Sequence, residues 1–167
     1  MIALQITDIK NFMNQFLTSD HFSAFSLVEA HLIKEVQYHI DGTLDYATLD
    51  QDKKEIFQSK NLSHIPFMNV QHHLFHLIKG SDTPYYMKFV LKLQPLSFAD
   101  PTFALSQNTP ALTDCFYLNI LFSNNKLQLT SGVSTNDFLQ ERLVSKEWDN
   151  GLNNFLKKCE IFYVMLN

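Results

Sequence analysis

Glycine, proline, cysteine and arginine are all scarce in this chain, and each shortage excludes something. Four glycines and five prolines in 167 residues rule out a collagen-like or low-complexity chain. They also leave little from which to build a phosphate cradle, and neither GxxxxGK[ST] nor GxGxxG occurs. The two cysteines, Cys115 and Cys159, have no CxxC spacing and make neither a disulfide framework nor a zinc site. They are expected to be buried thiols in a reducing cytoplasm. Arg142 is the single arginine and the formal charge is −4. Lys53-Lys54 and Lys157-Lys158 are isolated pairs, so the basic stripe and arginine forks of a duplex-reading protein are missing. Sequence-specific DNA binding is therefore disfavoured. The longest apolar run, 161–166, falls far short of the ~20 residues a membrane helix needs. The opening residues lack a basic stretch followed by an apolar one, so no signal peptide is expected. These readings point to a cytoplasmic protein without a membrane partner.

What the chain does have is phenylalanine, 15 residues of it, within a composition 46% hydrophobic and 18% charged. That suits well-filled layers in one domain spanning 1–167. The clearest stretch is 115–132, CFYLNILFSNNKLQLTSG. Asn124-Asn125 sits between two β-prone runs, and asparagine tolerates the left-handed backbone of a two-residue hairpin turn. Closing the turn there pairs Phe122 with Leu127 and Ile120 with Leu129 on one apolar face. Leu121 then meets Gln128, and Asn119 meets Thr130, on a face suited to water or a thin cover. A slip of one residue would expose the apolar set, so the pattern selects the register.

Periodicity supplies most of the rest. Ala3–Ile6 reads as a strand and Thr7 as a helix N-cap, with Asp8 at the positive helix end. Ile9, Phe12, Met13, Phe16 and Leu17 form a helical stripe. Residues 25–40 read as extended, as one strand or as two joined near Lys34-Glu35, with Val28, Ala30, Leu32, Val36, Tyr38 and Ile40 on one face. Asp41-Gly42 is a strong hairpin signal and predicts a reversal into 43–47. Residues 48–61 are polar, with a short helix around 52–57. Pro66 opens a helix whose buried stripe is Phe67, Val70, Leu74, Leu77 and Ile78, ended by Gly80. A strand over 85–93 buries Met87, Phe89, Leu91 and Leu93. Residues 94–114 read as a long loop or lid. Val144, Trp148, Leu152, Phe155 and Leu156 mark a final helix that Gly151 weakens by roughly 1 kcal/mol relative to alanine. The tail 161–166 is expected to return as an edge strand. The order of elements suggests two helix-plus-strands halves, 1–62 and 63–167.

Candidate chemistry is sparse. His72 and His76 lie four apart on one helix, a spacing that lets two imidazoles reach one metal ion. They fall opposite the apolar stripe, and no glutamate follows His72 as HExxH requires. Asp41, Asp45, Asp50, Asp52 and Glu55 fit no calcium-loop spacing. No GxSxG occurs, and no histidine neighbours either cysteine in sequence. The loop 78–84 is distinctive: Lys79, Gly80, Thr83 and Pro84 have a structural reading as a helix stop and a functional one as a contact for a small anion or a partner. Trp148 reads as a core anchor first and an interface residue second.

Several stretches taken together resemble a family of small Firmicutes proteins of unknown function: IALQITDIKNFMNQFL, the IDG at residues 40–42, IKGSDTPYYMKFVLKL, FYLNILFSNNKLQLTSGVS and EWDNGLNNFL. The similarity covers nearly the whole chain and departs from the pattern at Asn125, where a glycine is expected. That family carries no assigned activity, so the resemblance implies no functional residues. The architecture is also similar, more weakly, to sliding-clamp domains. The sequence thus predicts an α+β fold in which two or three amphipathic helices pack on an antiparallel sheet. The expected function is non-enzymatic binding or scaffolding, with a protein partner or self-association and no cofactor. The alternatives are a clamp-like accessory to nucleic-acid processing and a metal-dependent enzyme using His72 and His76.

Overall fold

The computed structural model describes residues 1–105 and 115–166. Where apolar residues alternate, the chain forms strands β1 (Ala3–Ile6), β2 (Phe25–Ile33), β3 (Gln37–Asp41), β4 (Tyr86–Leu93), β5 (Cys115–Ser123), β6 (Lys126–Ser134) and β7 (Tyr163–Met165). Where they recur every three or four residues it forms helices α1 (Ile9–Thr18), α3 (Phe67–Ile78) and α4 (Glu141–Lys158); a polar helix, α2 (Gln51–Ser59), precedes α3. Among the described residues the strands make one antiparallel sheet in the order β3-β2-β4-β5-β6-β1-β7. This is the expected α+β arrangement.

The β5–β6 hairpin has the register its pattern selects, with Phe122 opposite Leu127, Ile120 opposite Leu129, Leu121 opposite Gln128 and Asn119 opposite Thr130. Asn124 and Asn125 take φ of 50° and 57°, the left-handed pair a tight hairpin turn needs, so asparagine replaces glycine here without loss of geometry. Phe12, Phe16 and Leu17 of the α1 stripe are buried. The α1 cap falls one residue later than expected: Asp8 accepts from the Asn11 N–H at 2.9 Å, while the Thr7 hydroxyl donates to the Phe162 carbonyl.

Asp41-Gly42 does not turn a hairpin. The reversal lies at 34–36, where the Lys34 N–H bonds the Val36 carbonyl, and β3 then runs back along β2 to Asp41. Gly42 serves a different need. A Cβ there would sit 1.8 Å from the Leu27 carbonyl oxygen, so only glycine lets the chain leave β3 this close to β2. Its N–H bonds the Val28 carbonyl and its carbonyl accepts from Ile65. Val28 is the extra residue of a bulge between Leu27 and Glu29, which switches the buried parity from Phe25 and Leu27 to Ala30 and Leu32. The expected even-numbered face therefore fails before Ala30: Leu27 is buried and Val28 only half-buried.

One face of the sheet carries the core. Leu4, Leu27, Leu32, Phe89, Leu91, Leu118, Ile120, Leu127 and Leu129 point into a layer of rings from α1, α3 and α4. Phe16 touches Phe22, Phe67 and Phe89, with ring centroids 4.6 to 5.0 Å apart. Trp148 packs on Phe103 and Phe116, and its indole N–H donates to the Tyr117 carbonyl at 3.0 Å. All five apolar positions expected of α4 are buried. In α3, Phe67 and Leu74 are buried, and so is Gln71, an unforeseen polar member. Its amide donates to the carbonyls of Phe16 and Ser19 at 2.9 and 2.7 Å, satisfying the open end of α1 from a neighbouring helix.

Of the expected loop 94–114, Pro95–Ala99 forms a 3-10 turn and Phe103 is buried beside Phe25 and Phe155; residues 106–114 lie outside the described residues. Gly151 explains how this segment packs. A Cβ at 151 would lie 2.2 Å from the Phe103 carbonyl oxygen, so the helix weakness there is the condition for close approach. Gly151→Ala is therefore expected to destabilise the protein by roughly 1–3 kcal/mol through overpacking, despite alanine's higher helix propensity. Urea unfolding checks the sign, and a stabilised variant would contradict this packing.

Candidate functional site

Helices α1, α3 and α4 pack on one side of the sheet, and strand residues of the opposite parity lie on the other, where Ser26 at the start of β2 is buried beside Leu62 and Ser63. Register aligns them in rows. His39, His31, Lys88, Leu121, Gln128, Gln5 and Val164 cross all seven strands, and Asp41, Glu29, Val90, Asn119, Thr130 and Ala3 form the next row. Lys92 and Tyr117 pair in a third. Val90, Leu121 and Tyr117 are diagonal neighbours across β4 and β5 and form a half-buried apolar centre.

The β2–β3–β4 end of this face is charged. Lys88 Nζ bonds Glu29 Oε1, and His39 Nε2 lies 3.8 Å from Glu29 Oε2. The lysine hydrogen bond holds the Glu29 carboxyl below its ordinary value, and the same bond holds the Lys88 ammonium above its own. The His31 ring stands edge-on to His39 and Tyr86, with centroids 5.9 and 5.4 Å away. His64 is pushed down by burial and then by Lys92, which Asp41 partly offsets. Burial, reinforced by Cys115, pushes the Tyr117 phenol up to about 12, so it stays a neutral hydrogen-bonding aromatic. These groups make the surface polarised, with ion pairs at one end and apolar side chains at the centre.

The residues singled out from sequence lie elsewhere and are not brought together with this face. Lys79, Gly80 and Thr83 are exposed beyond the end of α3, and Pro84 is buried. The helix stops at Ile78, the Lys79 N–H still bonds Phe75, and Gly80 takes φ +150°, outside the left-handed helical value expected of a cap. Lys34 Nζ reaches the Lys79 carbonyl at 3.5 Å. Trp148 is fully buried and offers no surface. His72 and His76 are exposed, with the His72 ring 3.8 Å from that of His73. Among the described residues no group of three or more His, Cys, Asp or Glu side chains is placed to hold a metal ion. Of the acidic stretch, Asp50 caps α2 and Asp41 accepts from the Thr43 N–H. Cys159 is buried, as expected, but Cys115 is only half-buried because it starts β5 on the uncovered side. Burial pushes the Cys159 thiol up, away from nucleophile chemistry.

A cavity of about 250 Å³ opens between the α1–β2 turn, the loop near 100–103 and the end of α4. Of its lining side chains, Lys158 Nζ donates to Thr102 Oγ1 at 2.9 Å, and His21 Nδ1 meets Gln15 Oε1 of α1 at 2.9 Å. An exposed apolar cluster sits elsewhere, where Phe138, Leu139 and Leu143 lead into and begin α4. Histidines 31 and 39 escaped the reading from sequence, because the signal is a cross-strand row visible only once the register of three strands is known.

The arrangement defines a one-sided α+β sandwich with a polarised open face and no helix long and apolar enough to cross a membrane among its described residues. Residues 15–164 match a family described as "Family of unknown function (DUF5721)", and the chain belongs to it. No curated protein and no solved structure matches.

The Glu29–Lys88 pair predicts a pH dependence. A lowered carboxyl contributes stability that is present above its unfolded value, near pH 4, and is lost as pH falls through the lower folded value. Both side chains are partly exposed, which limits the pair to at most about 1 kcal/mol. Glu29→Gln is therefore expected to lose up to that amount at neutral pH and to converge on the parent protein in acid. Urea unfolding as a function of pH measures it; a gap unchanged by acid would contradict the pairing.

Proposed function

We propose that this chain is a non-enzymatic intracellular binding protein that presents the uncovered sheet face to a protein partner. The observation that carries this is the face itself. A half-buried apolar centre of Val90, Leu121 and Tyr117 lies beside the Glu29–Lys88–His39 ion cluster, on an element rigidly backed by the core. Apolar contact flanked by placed charges is the pattern of a protein-recognition surface, where the charges set orientation and the apolar centre excludes water. The formal charge of −4 and the lone arginine favour a protein over nucleic acid as the partner. The clamp-like and metal-enzyme alternatives rest on element order and on His72 and His76 alone.

The test is affinity capture from the cells that make the protein, comparing the parent chain with the double variant Val90→Glu, Leu121→Glu. Both positions face outward, so thermal unfolding is expected to shift by only a few degrees. The parent chain and a Lys54→Glu control on α2 are expected to retain the same partner, and the double variant to lose it. Equal capture by all three, or no partner for the parent chain, would overturn the reading.

A further inference from the structure

The sheet has two edges, and they are built differently. The outer strand at one edge, β3, carries Gln37, His39 and Asp41, polar and charged residues of the kind that discourage strand addition. The outer strand at the other edge, β7, carries none. Phe162, Val164 and Met165 are 69%, 49% and 55% exposed there, and no proline, lysine or bulge guards the strand.

Its backbone is also poised. Phe162 and Leu166 bond inward to β1, through Thr7 N–H to the Phe162 carbonyl and Leu166 N–H to the Ala3 carbonyl, both 2.9 to 3.1 Å. Val164 pairs with Gln5 in the same ladder, and Tyr163 and Met165 pair with Ile6 and Leu4. Antiparallel ladders alternate, so Tyr163 and Met165 turn their N–H and C=O groups away from β1, toward the open edge.

We infer that β7 pairs antiparallel with β7 of a second copy of this chain, about a two-fold axis through Val164, joining the two sheets into one. The sequence of the edge is self-complementary about that axis. Tyr163 of one copy stands opposite Met165 of the other, and every outward donor meets an outward acceptor. On the uncovered face Phe162 stands opposite Leu166, and Val164 opposite its own counterpart, so each cross-strand pair is apolar. A two-fold interface requires this match of one patch to itself. A foreign strand would need to supply the same apolar series, whereas a second copy carries it by construction. The inference rests on the edge and not on the partner of the sheet face, so the two can fail separately.

The geometry sets a sharp test. Outward bonding at 163 and 165 makes 164 a non-hydrogen-bonded site, where facing Cα atoms lie about 4.5 Å apart, within the span of a disulfide. Val164→Cys is expected to give a covalent dimer on mild oxidation, and Gln37→Cys, exposed on β3 at the opposite edge of the sheet, is not. In sedimentation equilibrium the parent chain is expected to be a dimer whose dissociation lies in the micromolar range. Met165→Pro removes an outward N–H without touching the bonds to β1 and is expected to weaken association at least tenfold with circular dichroism unchanged. Phe138→Glu, in the other exposed apolar cluster, is expected to leave it unchanged. A parent chain that stays monomeric at high micromolar concentration would overturn the proposal, as would association unaltered in Met165→Pro. If that variant does not fold, Val164→Cys decides: absence of the crosslinked dimer refutes the pairing. Dimerisation lost in Phe138→Glu instead would place the interface at α4 and also refute it.

Discussion

The structure depends on one contact layer, the sheet of phenylalanine rings pressed between the strands and α1, α3 and α4. Phe16 at one end bridges Phe22, Phe67 and Phe89, and Trp148 at the other bridges Phe25, Phe103 and Phe116. Phe22, Phe25 and Phe155 connect the two groups. A continuous layer of this kind holds each helix by burial and not by loop geometry, since the apolar area removed from water is the dominant stabilising term. It also fixes the orientation of the sheet, because residues of one parity are committed to it. The opposite parity is left to face outward.

Two glycines and one glutamine make that layer possible, and each works against a local preference. Gly151 weakens α4 yet lets the Phe103 backbone approach; Gly42 lets the chain leave β3 against the bulge at Val28. Gln71 places a polar amide in an otherwise apolar helix stripe, where it satisfies two carbonyls at the end of α1. A buried amide with its donors used costs little, whereas two buried carbonyls without partners would cost far more.

These same residues show where the sequence could be read and where it could not. The β5–β6 hairpin, with its register, and the buried faces of α1, β4 and α4 were legible because period and turn chemistry lie within a few neighbouring residues. Asp41-Gly42 misled because a glycine required by close approach in space looks identical to one required by a turn. The parity switch in β2 depends on a bulge against β4, some sixty residues away, and no local pattern signals it. The histidine, glutamate and lysine cluster was invisible for the same reason: its members stand on three strands and become neighbours only through register. By contrast, the motifs that could be seen, His72 with His76 and the loop around Lys79, are local features of one helix and its end.

In the proposed function, the outward face of the sheet is the working surface of the molecule. Hydroxyl-radical footprinting, read by mass spectrometry on the purified chain and on the chain inside its native cells, tests it most directly. Tyr86, Tyr117 and Leu121, all half-buried on this face, are expected to label in the purified chain and to lose that labelling in cells. Exposed residues outside the face, such as Tyr85 and Leu96, should label in both. Equal labelling of the face in both settings, or protection confined to other surfaces, would contradict it.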